Sequence, residues 1–487
     1  MTAPLTLAQL ADRIAAVVGP ANCLRDPAEL ETYACDGLTH RRVRPALVVL
    51  PGSTGEVAEV VQLCRAADLP IVPRGSGTGL SGGARPVEGG VVVGLSRMRR
   101  ILEVDLENGR MRVEPGVVNL DVSARVGGQG FFYAPDPSSQ GVCTVGGNVA
   151  ENSGGAHCLK YGFTVNHVLG ARVVLDDGEV VDLGGTALDV PGYDLLAALV
   201  GGEGMLGIVT EVTLRLLRKP EATRTFLAIF PSTDEAGEAV SRIIAAGVLP
   251  AAVEMMDALA IQAAKAATGL DWPDEGALLL MDVDGPTAEA EDTAARSLDI
   301  AKACGARLVR QPRDEAERQM MWKGRKSAFA AVGRISPGYL VEDGVIPRKE
   351  IARVLRDIAA MAAASGLRVA NVFHAGDGNL HPLVLYDTAV PGELQKAEQL
   401  GADILALCVR LGGSITGEHG VGAEKAAAMA LQFSEADLET MALVRCAFDP
   451  EARFNPGKVF PTPRLCGEAP GPYTPHPAEL AGLAERL

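Results

Sequence analysis

Residues 73–95 read PRGSGTGLSGGARPVEGGVVVGL, and the reading of this glycine-dense run decides the fold. It carries the spacing G-x-G-x-x-G at Gly77, Gly79 and Gly82. A dinucleotide-binding Rossmann unit needs that spacing to open a helix at its third glycine. Here Pro73 closes the strand-like LPIV, and the run continues into a second strand-like stretch, GVVVGL, without helical period. A Rossmann unit is therefore rejected. Five glycines within residues 75–83 still need a reason. They leave successive backbone amides uncovered, and such amides form a nest for anionic oxygens, a pyrophosphate among them.

A mobile surface loop is the competing reading. A second glycine-dense stretch, PDPSSQGVCTVGGNVAENSGGAHCLKYG at 135–162, weighs against it. Ala150 and Ser153 keep that stretch small between its glycines. Two such stretches, each flanked by strand-like runs, suit a long cofactor with a pyrophosphate and a flat head lying along bare backbone.

The neighbouring chain reads as alternating strands and helices. PALVVL (45–50) is a short apolar strand. Ser53 and Glu56 form a capping box, and Val57, Val60, Val61 and Cys64 follow at helical spacing. ILEVD and RMRVEP read as further strands, and 119–127 as a helix. GIVTEVTLRLL (207–217) alternates, with Ile208, Val212, Leu214 and Leu216 on one face and Glu211, Thr213 and Arg215 on the other. The composition shifts after RKPEATR. This divides the chain into 1–220, an α+β second domain over 221–425, and a C-terminal segment over 426–487 with a Pro/Gly-rich tail.

HAGDGNLH (374–381) sits between the strand-like VANVF and PLVLY, so a tight hairpin is expected. His374 and His381 then stand at the two mouths of one turn. Each offers a neutral nitrogen ligand, and Glu418 in SITGEHGVG offers an anionic third. Two histidines and a carboxylate leave positions open for substrate on a metal. Two alternatives remain at this point: a metal-free site in which the histidines bind substrate directly, and histidines that only satisfy hydrogen bonds between domains. In the helical stretch QMMWKGRKSAF (319–329), Arg325 falls among Met321, Trp322 and Phe329, whereas Lys323 and Lys326 point elsewhere. A guanidinium on an apolar face suits a bidentate grip on a carboxylate, with a buried ion pair as the competing reading.

The totals narrow the class. At roughly 100–200 residues per domain, 487 residues make two to four domains. A net charge of −16 argues against a nucleic-acid partner, which needs a basic footprint. The nine cysteines show no C-x-x-C, which reads as free thiols in a reducing compartment and against an iron–sulfur cluster held by this chain. The first twenty residues have no basic region before their apolar stretch, and no long uncharged apolar run occurs, so neither a signal peptide nor a membrane span is expected. The expected location is cytoplasmic.

Six motifs, PRGSGTGLSGG, PDPSS…TVGGNVAENSGG, GGEGMLGIVTEVTLRL, NVFHAGDGNLHP, GEHGVG and FNPGK, occur in this order. Together they resemble the FAD-linked oxidase family of the vanillyl-alcohol oxidase type, over nearly the whole chain. Within it they are most similar to the branch of glycolate oxidase flavin subunits, D-lactate dehydrogenases and D-2-hydroxyglutarate dehydrogenases. The resemblance implies an α+β fold: a two-part FAD-binding domain, an α+β substrate (cap) domain, and a C-terminal helical return. It implies that Arg74, Gly75, Ser76, Gly77, Thr78 and Gly79 cradle the FAD pyrophosphate. Pro135, Asp136, Thr144, Gly147, Asn148, Ser153 and Ile208 would line the cofactor, and Asn455 of FNPGK would return to it. His157 matches no covalent link to flavin, so noncovalent FAD is expected.

The resemblance further implies a divalent metal (Zn, Mn or Fe) on His374, His381 and Glu418. His419 would remove the hydroxyl proton, Arg325 would hold the substrate carboxylate, and Asn379 would hydrogen-bond the substrate. A small 2-hydroxy acid, glycolate first and D-lactate next, would become the 2-keto acid by hydride transfer to flavin N5. A D-2-hydroxyglutarate-type dehydrogenase, or a non-redox reaction on the same fold, is the alternative. Electrons would pass to a partner subunit or the quinone chain, the partners being iron–sulfur and second flavin-type subunits of a glycolate oxidase complex, which would also give a peripheral location at the inner membrane. The tail RLCGEAPGPYTPHPAELAGLAERL either docks such a partner or is disordered.

Overall fold

The computed structural model describes residues 6–187, 192–273 and 275–461. They form two compact units. One comprises Met1–Ser153, Phe163–Arg218 and His419–Leu487, the other Gly154–Gly162 and Lys219–Glu418.

The first unit holds two main sheets. Strands β1 (Cys23–Leu24), β2 (Leu47–Val49), β3 (Ile71–Arg74) and β4 (Val91–Gly94) lie in the order β1-β2-β4-β3. The β2–β4 and β4–β3 pairs are parallel. Parallel strands need crossovers: the glycine-dense segment 75–90 carries the chain from β3 to β4, and the helix Thr54–Ala66 carries it from β2 to β3. Its cap is Ser53, whose hydroxyl accepts the Glu56 N–H, and it buries Val57, Val60, Val61 and Cys64, as its spacing predicts.

Next along the chain come β5 (Ile101–Asp105), β6 (Arg110–Val113), β7 (Phe131–Phe132), β8 (Val168–Val174), β9 (Val180–Gly184), β10 (Ile208–Arg215) and β11 (Leu217–Arg218). Five of them form an antiparallel sheet in the order β5-β6-β10-β8-β9, and β11 pairs with β7. Along β10 the predicted apolar face is buried while Arg215 is exposed. The segment after the helix Glu435–Phe448 returns to β3: Ile71 donates to the Arg453 carbonyl, the Asn455 N–H donates back to Ile71, and Phe454 enters the core.

The second unit is built on a seven-stranded sheet. Its strands are β12 (Ala222–Phe230), β13 (Ala252–Asp257), β14 (Ala277–Gly285), β15 (Leu308–Arg310), β16 (Gly338–Val341), β17 (Arg368–His374) and β18 (Pro382–Tyr386). Their order is β15-β12-β14-β13-β17-β18-β16, every pair antiparallel. Helices Thr233–Ala245, Thr287–Ala303 and Ile351–Ser365 contribute apolar residues to its core. The predicted hairpin forms from β17 and β18, with Asn371 opposite Pro382 and a further bridge between His374 and Asn379.

Cysteines 23, 35, 64, 143, 158, 304 and 408 are free thiols, as expected. Cys446 is disulfide-bonded, which corrects the expectation of free thiols throughout. Among the described residues no helix is long and apolar enough to cross a membrane. The tail suggested for docking lies outside the described residues.

Candidate functional site

Two sites emerge, one in each unit. In the first, the loop after β3 faces the N-terminal turn of the helix Val145–Glu151. A cleft there is lined by Arg74, Gly75, Thr144, Gly147, Glu151 and Glu203, among others. Its walls approach so closely that a Cβ on Gly75 would overlap Thr144 Oγ1. The Arg74 guanidinium is turned back to the Cys35 and Ala84 carbonyls (2.8 and 3.3 Å), so its part in the loop is to brace it. Ser76 donates its hydroxyl to the Val142 carbonyl (2.6 Å), tying the two glycine-dense stretches together. Gly77 sits at φ +70°, and the Gly79 carbonyl accepts the Gly37 N–H (2.8 Å). Thr78 is half-buried in the same turn.

Asn119 organises the second stretch. Its amide donates to the Pro135 carbonyl (3.1 Å) and to Asn148 Oδ1 (3.0 Å). Asp136 lies half-buried beside Pro135. The Ser153 carbonyl accepts from Thr164. Ile208 opens β10 and sends its side chain into the core with Val174, whereas its neighbours Gly207 and Val209 line the cleft. Asn455 is spent on the protein: its amide donates to the Gly83 and Glu203 carbonyls (2.8 and 2.7 Å) and its oxygen accepts from Lys458.

The cleft fits FAD on two observations. Bare glycine backbone lines it where a Cβ would not fit, and Thr144 Oγ1 is buried there without a protein partner. A buried hydroxyl without a partner is costly, and a cofactor oxygen would supply one.

In the second unit, β13 places Glu254 directly opposite His374 of β17. Residues opposite in an antiparallel ladder share a face, so the carboxylate meets the ring. Glu254 Oε1 lies 2.7 Å from His374 Nδ1, and its other oxygen lies 2.6 Å from the Arg325 guanidinium. Arg325 comes from the helix Glu315–Val332, which buries Met321, Trp322 and Arg325 together and exposes Lys323 and Lys326. His381 Nδ1 lies 3.3 Å from the Glu342 carbonyl. In both rings Nδ1 faces an acceptor, so Nε2 is the nitrogen turned toward the other side chains of the cluster. Both Nε2 atoms converge on Glu418 Oε1, at 3.3 Å from His374 and 3.1 Å from His381.

Glu418 is fixed by Asp343, a fully buried carboxylate that accepts the Gly417 and Glu418 N–H groups and the Thr416 hydroxyl. The hairpin turn needs Gly378, which stands at φ +86° with its Cα against the Ile346 carbonyl. Asn379 is buried, with Oδ1 unpartnered. Burial depresses the His374 imidazolium, but the Glu254 and Glu418 carboxylates outweigh it and hold the group well above the ordinary histidine range. Asp377, in the same turn, is pushed up by burial to about 6.

The three side chains can jointly hold a metal: their ligand atoms lie within 4.8 Å of one another. Two imidazoles and a carboxylate with oriented outer partners suit Zn, Mn or Fe. His419 follows Glu418 directly and begins the segment that belongs to the first unit.

Sequence reasoning missed Glu254, Asp343, Glu151 and Glu203. A signal for Glu254 was present: an acid inside the apolar run AVEMM has to be paired if buried. Glu151 and Glu203 lay within the quoted glycine motifs without a role.

Comparison with known proteins gives the family. Residues 45–184 match the family described as FAD binding domain, and residues 219–459 match the C-terminal domain of FAD linked oxidases. The chain is 50% identical over 446 residues to glycolate oxidase subunit GlcD of Escherichia coli K12, covering 91% of this chain and 89% of that one. It is 33% identical over 428 residues to a D-lactate dehydrogenase of Anaerostipes hadrus, covering 86% and 90%. The fold matches 4-ethylphenol oxidase from Gulosibacter chungangensis with a TM-score of 0.78 at 19% identity, covering 94% and 98%. With a glycine-walled cleft in one unit, a histidine–carboxylate cluster in the other, and relatives that span both, the chain belongs to the FAD-linked oxidases, on a fold of the vanillyl-alcohol oxidase type.

Proposed function

We propose that this protein oxidises a small 2-hydroxy acid to the 2-keto acid, with glycolate the first candidate and D-lactate the next. The observation that carries this reading is the convergence of His374 and His381 on Glu418, with Arg325 tied to His374 through one carboxylate. The 50% identity to a glycolate oxidase subunit supports the choice of substrate.

When bound, FAD supplies a two-electron acceptor at N5, and a divalent cation supplies the Lewis acidity that acidifies the substrate hydroxyl. His374, His381 and Glu418 would hold that cation, and the residues lining the first cleft would hold FAD without a covalent bond. Arg325 binds the substrate carboxylate: one face of its guanidinium is neutralised by Glu254, and the planar fork retains N–H groups for a second carboxylate. Asn379 offers its amide to the substrate. His419 takes the hydroxyl proton, as general base. The C2 hydrogen leaves with its electron pair, so one hydride and one proton account for the two electrons lost.

Electrons then pass to partner subunits, one of them carrying iron–sulfur centres, which would bring a cytoplasmic protein to the inner membrane surface. That the E. coli relative is itself named as a subunit supports this part. The test is anaerobic mixing of the FAD-loaded protein with glycolate, D-lactate and D-2-hydroxyglutarate. Bleaching of the flavin by glycolate or D-lactate is expected. A flavin that stays oxidised with every 2-hydroxy acid would refute the assignment.

A further inference from the structure

A second pair of carboxylates lies inside the FAD cleft, and the reaction above does not use it. Glu151 ends the helix Val145–Glu151, and Glu203 follows the glycines of GGEGMLG; both line the cleft. Both also press on Gly420: a Cβ there would overlap Glu151 Oε2 and come within 2.9 Å of Glu203 Oε1. Two carboxylates this close do not both ionise readily.

The hydrogen bonds decide which one carries the proton. Glu203 accepts the N–H groups of Val421 (2.6 Å) and Gly422 (2.7 Å), which stabilise its anion. Glu151 Oε2 is buried and accepts from no donor. Four charged groups act on it from the surrounding elements: Glu203 and Asp36 favour the neutral acid, and Lys425 and Lys458 oppose it. Lys458, whose ammonium burial pushes down to about 7, directs its N–H bonds at the Gly83 and Arg85 carbonyls and Asn455 Oδ1, and Lys425 donates to the Gly420 carbonyl.

We infer that Glu151 is a neutral carboxylic acid in the folded protein and donates its O–H to an acceptor atom of bound FAD. Among the described residues Glu151 Oε2 has no hydrogen-bond partner, so its proton is available to a cofactor that the cleft would hold. Burial, with the Glu203 charge, raises the Glu151 carboxyl well above its ordinary value and supports this reading. Glu151 is thus a positioning residue for FAD. It is also a source of pH dependence in cofactor binding: affinity should fall as pH rises and the donor is lost.

The test is FAD titration of apoprotein by flavin fluorescence across pH, for the wild type, Glu151→Gln and Glu151→Ala. Gln keeps the shape and a donor, so it should bind within about twofold of wild type at neutral pH and lose the pH dependence. Ala should bind about tenfold or more weakly, a factor that corresponds to one hydrogen bond. If Gln binds tenfold more weakly while its melting curve is unchanged, the anion is required and the inference fails. If Ala binds as the wild type does, Glu151 does not touch the cofactor. Infrared difference spectra of wild-type protein with and without FAD read the same point without a variant. A protonated-carboxyl C=O band that shifts on FAD binding is expected, and its absence overturns the inference.

Discussion

At the scale of single residues, Glu254 shows how much chemistry one buried carboxylate can organise. It faces His374 Nδ1 with one oxygen and the Arg325 guanidinium with the other. Replacing it with Gln removes the charge and leaves an amide that can turn either way. Divalent-metal affinity should then fall about 10- to 100-fold, the usual cost of losing an outer partner of a histidine ligand, as read by metal titration of the apoprotein. His419 makes a contrasting prediction. His419→Ala should abolish flavin reduction while FAD remains bound, and reduction at wild-type rates would remove His419 from the reaction. The raised His374 imidazolium adds a pH dependence with a definite sign. A cation must displace that proton from Nε2, so metal affinity should rise by about tenfold per pH unit until the imidazolium has titrated. A flat profile would show that His374 binds no metal.

At the scale of elements, the hairpin of β17 and β18 carries the site, and its turn tolerates little. Gly378→Ala would require a left-handed backbone in a residue with a side chain and drive its Cβ into the Ile346 carbonyl. Loss of bound metal in the purified variant, with the far-UV spectrum of the fold retained, is the expected result. This hairpin was legible in the sequence, because Gly and Asp between two apolar runs mark a turn on their own. The helix bearing Arg325 was legible for the same kind of reason: its periodicity put the guanidinium among Met321 and Trp322. The partners of those residues were not legible. Glu254 reaches His374 only because β13 pairs with β17, and Asp343 reaches Glu418 across 75 positions of sequence. Register between distant strands follows from tertiary packing, which no local pattern states.

At the scale of the whole molecule, the glycines of the cleft lie in one unit and the histidine cluster in the other. In the proposed reaction one unit would offer bare backbone and a buried hydroxyl to a cofactor, and the other would offer nitrogen and oxygen ligands to a cation and a guanidinium to a carboxylate. The central claim is that the hydrogen on C2 of a 2-hydroxy acid leaves to FAD. Rapid anaerobic mixing of the FAD-loaded protein with glycolate and with glycolate deuterated at C2 tests it directly. Bleaching of the flavin by both, several-fold slower with the deuterated acid, is the predicted result. A flavin that neither acid reduces would contradict the account.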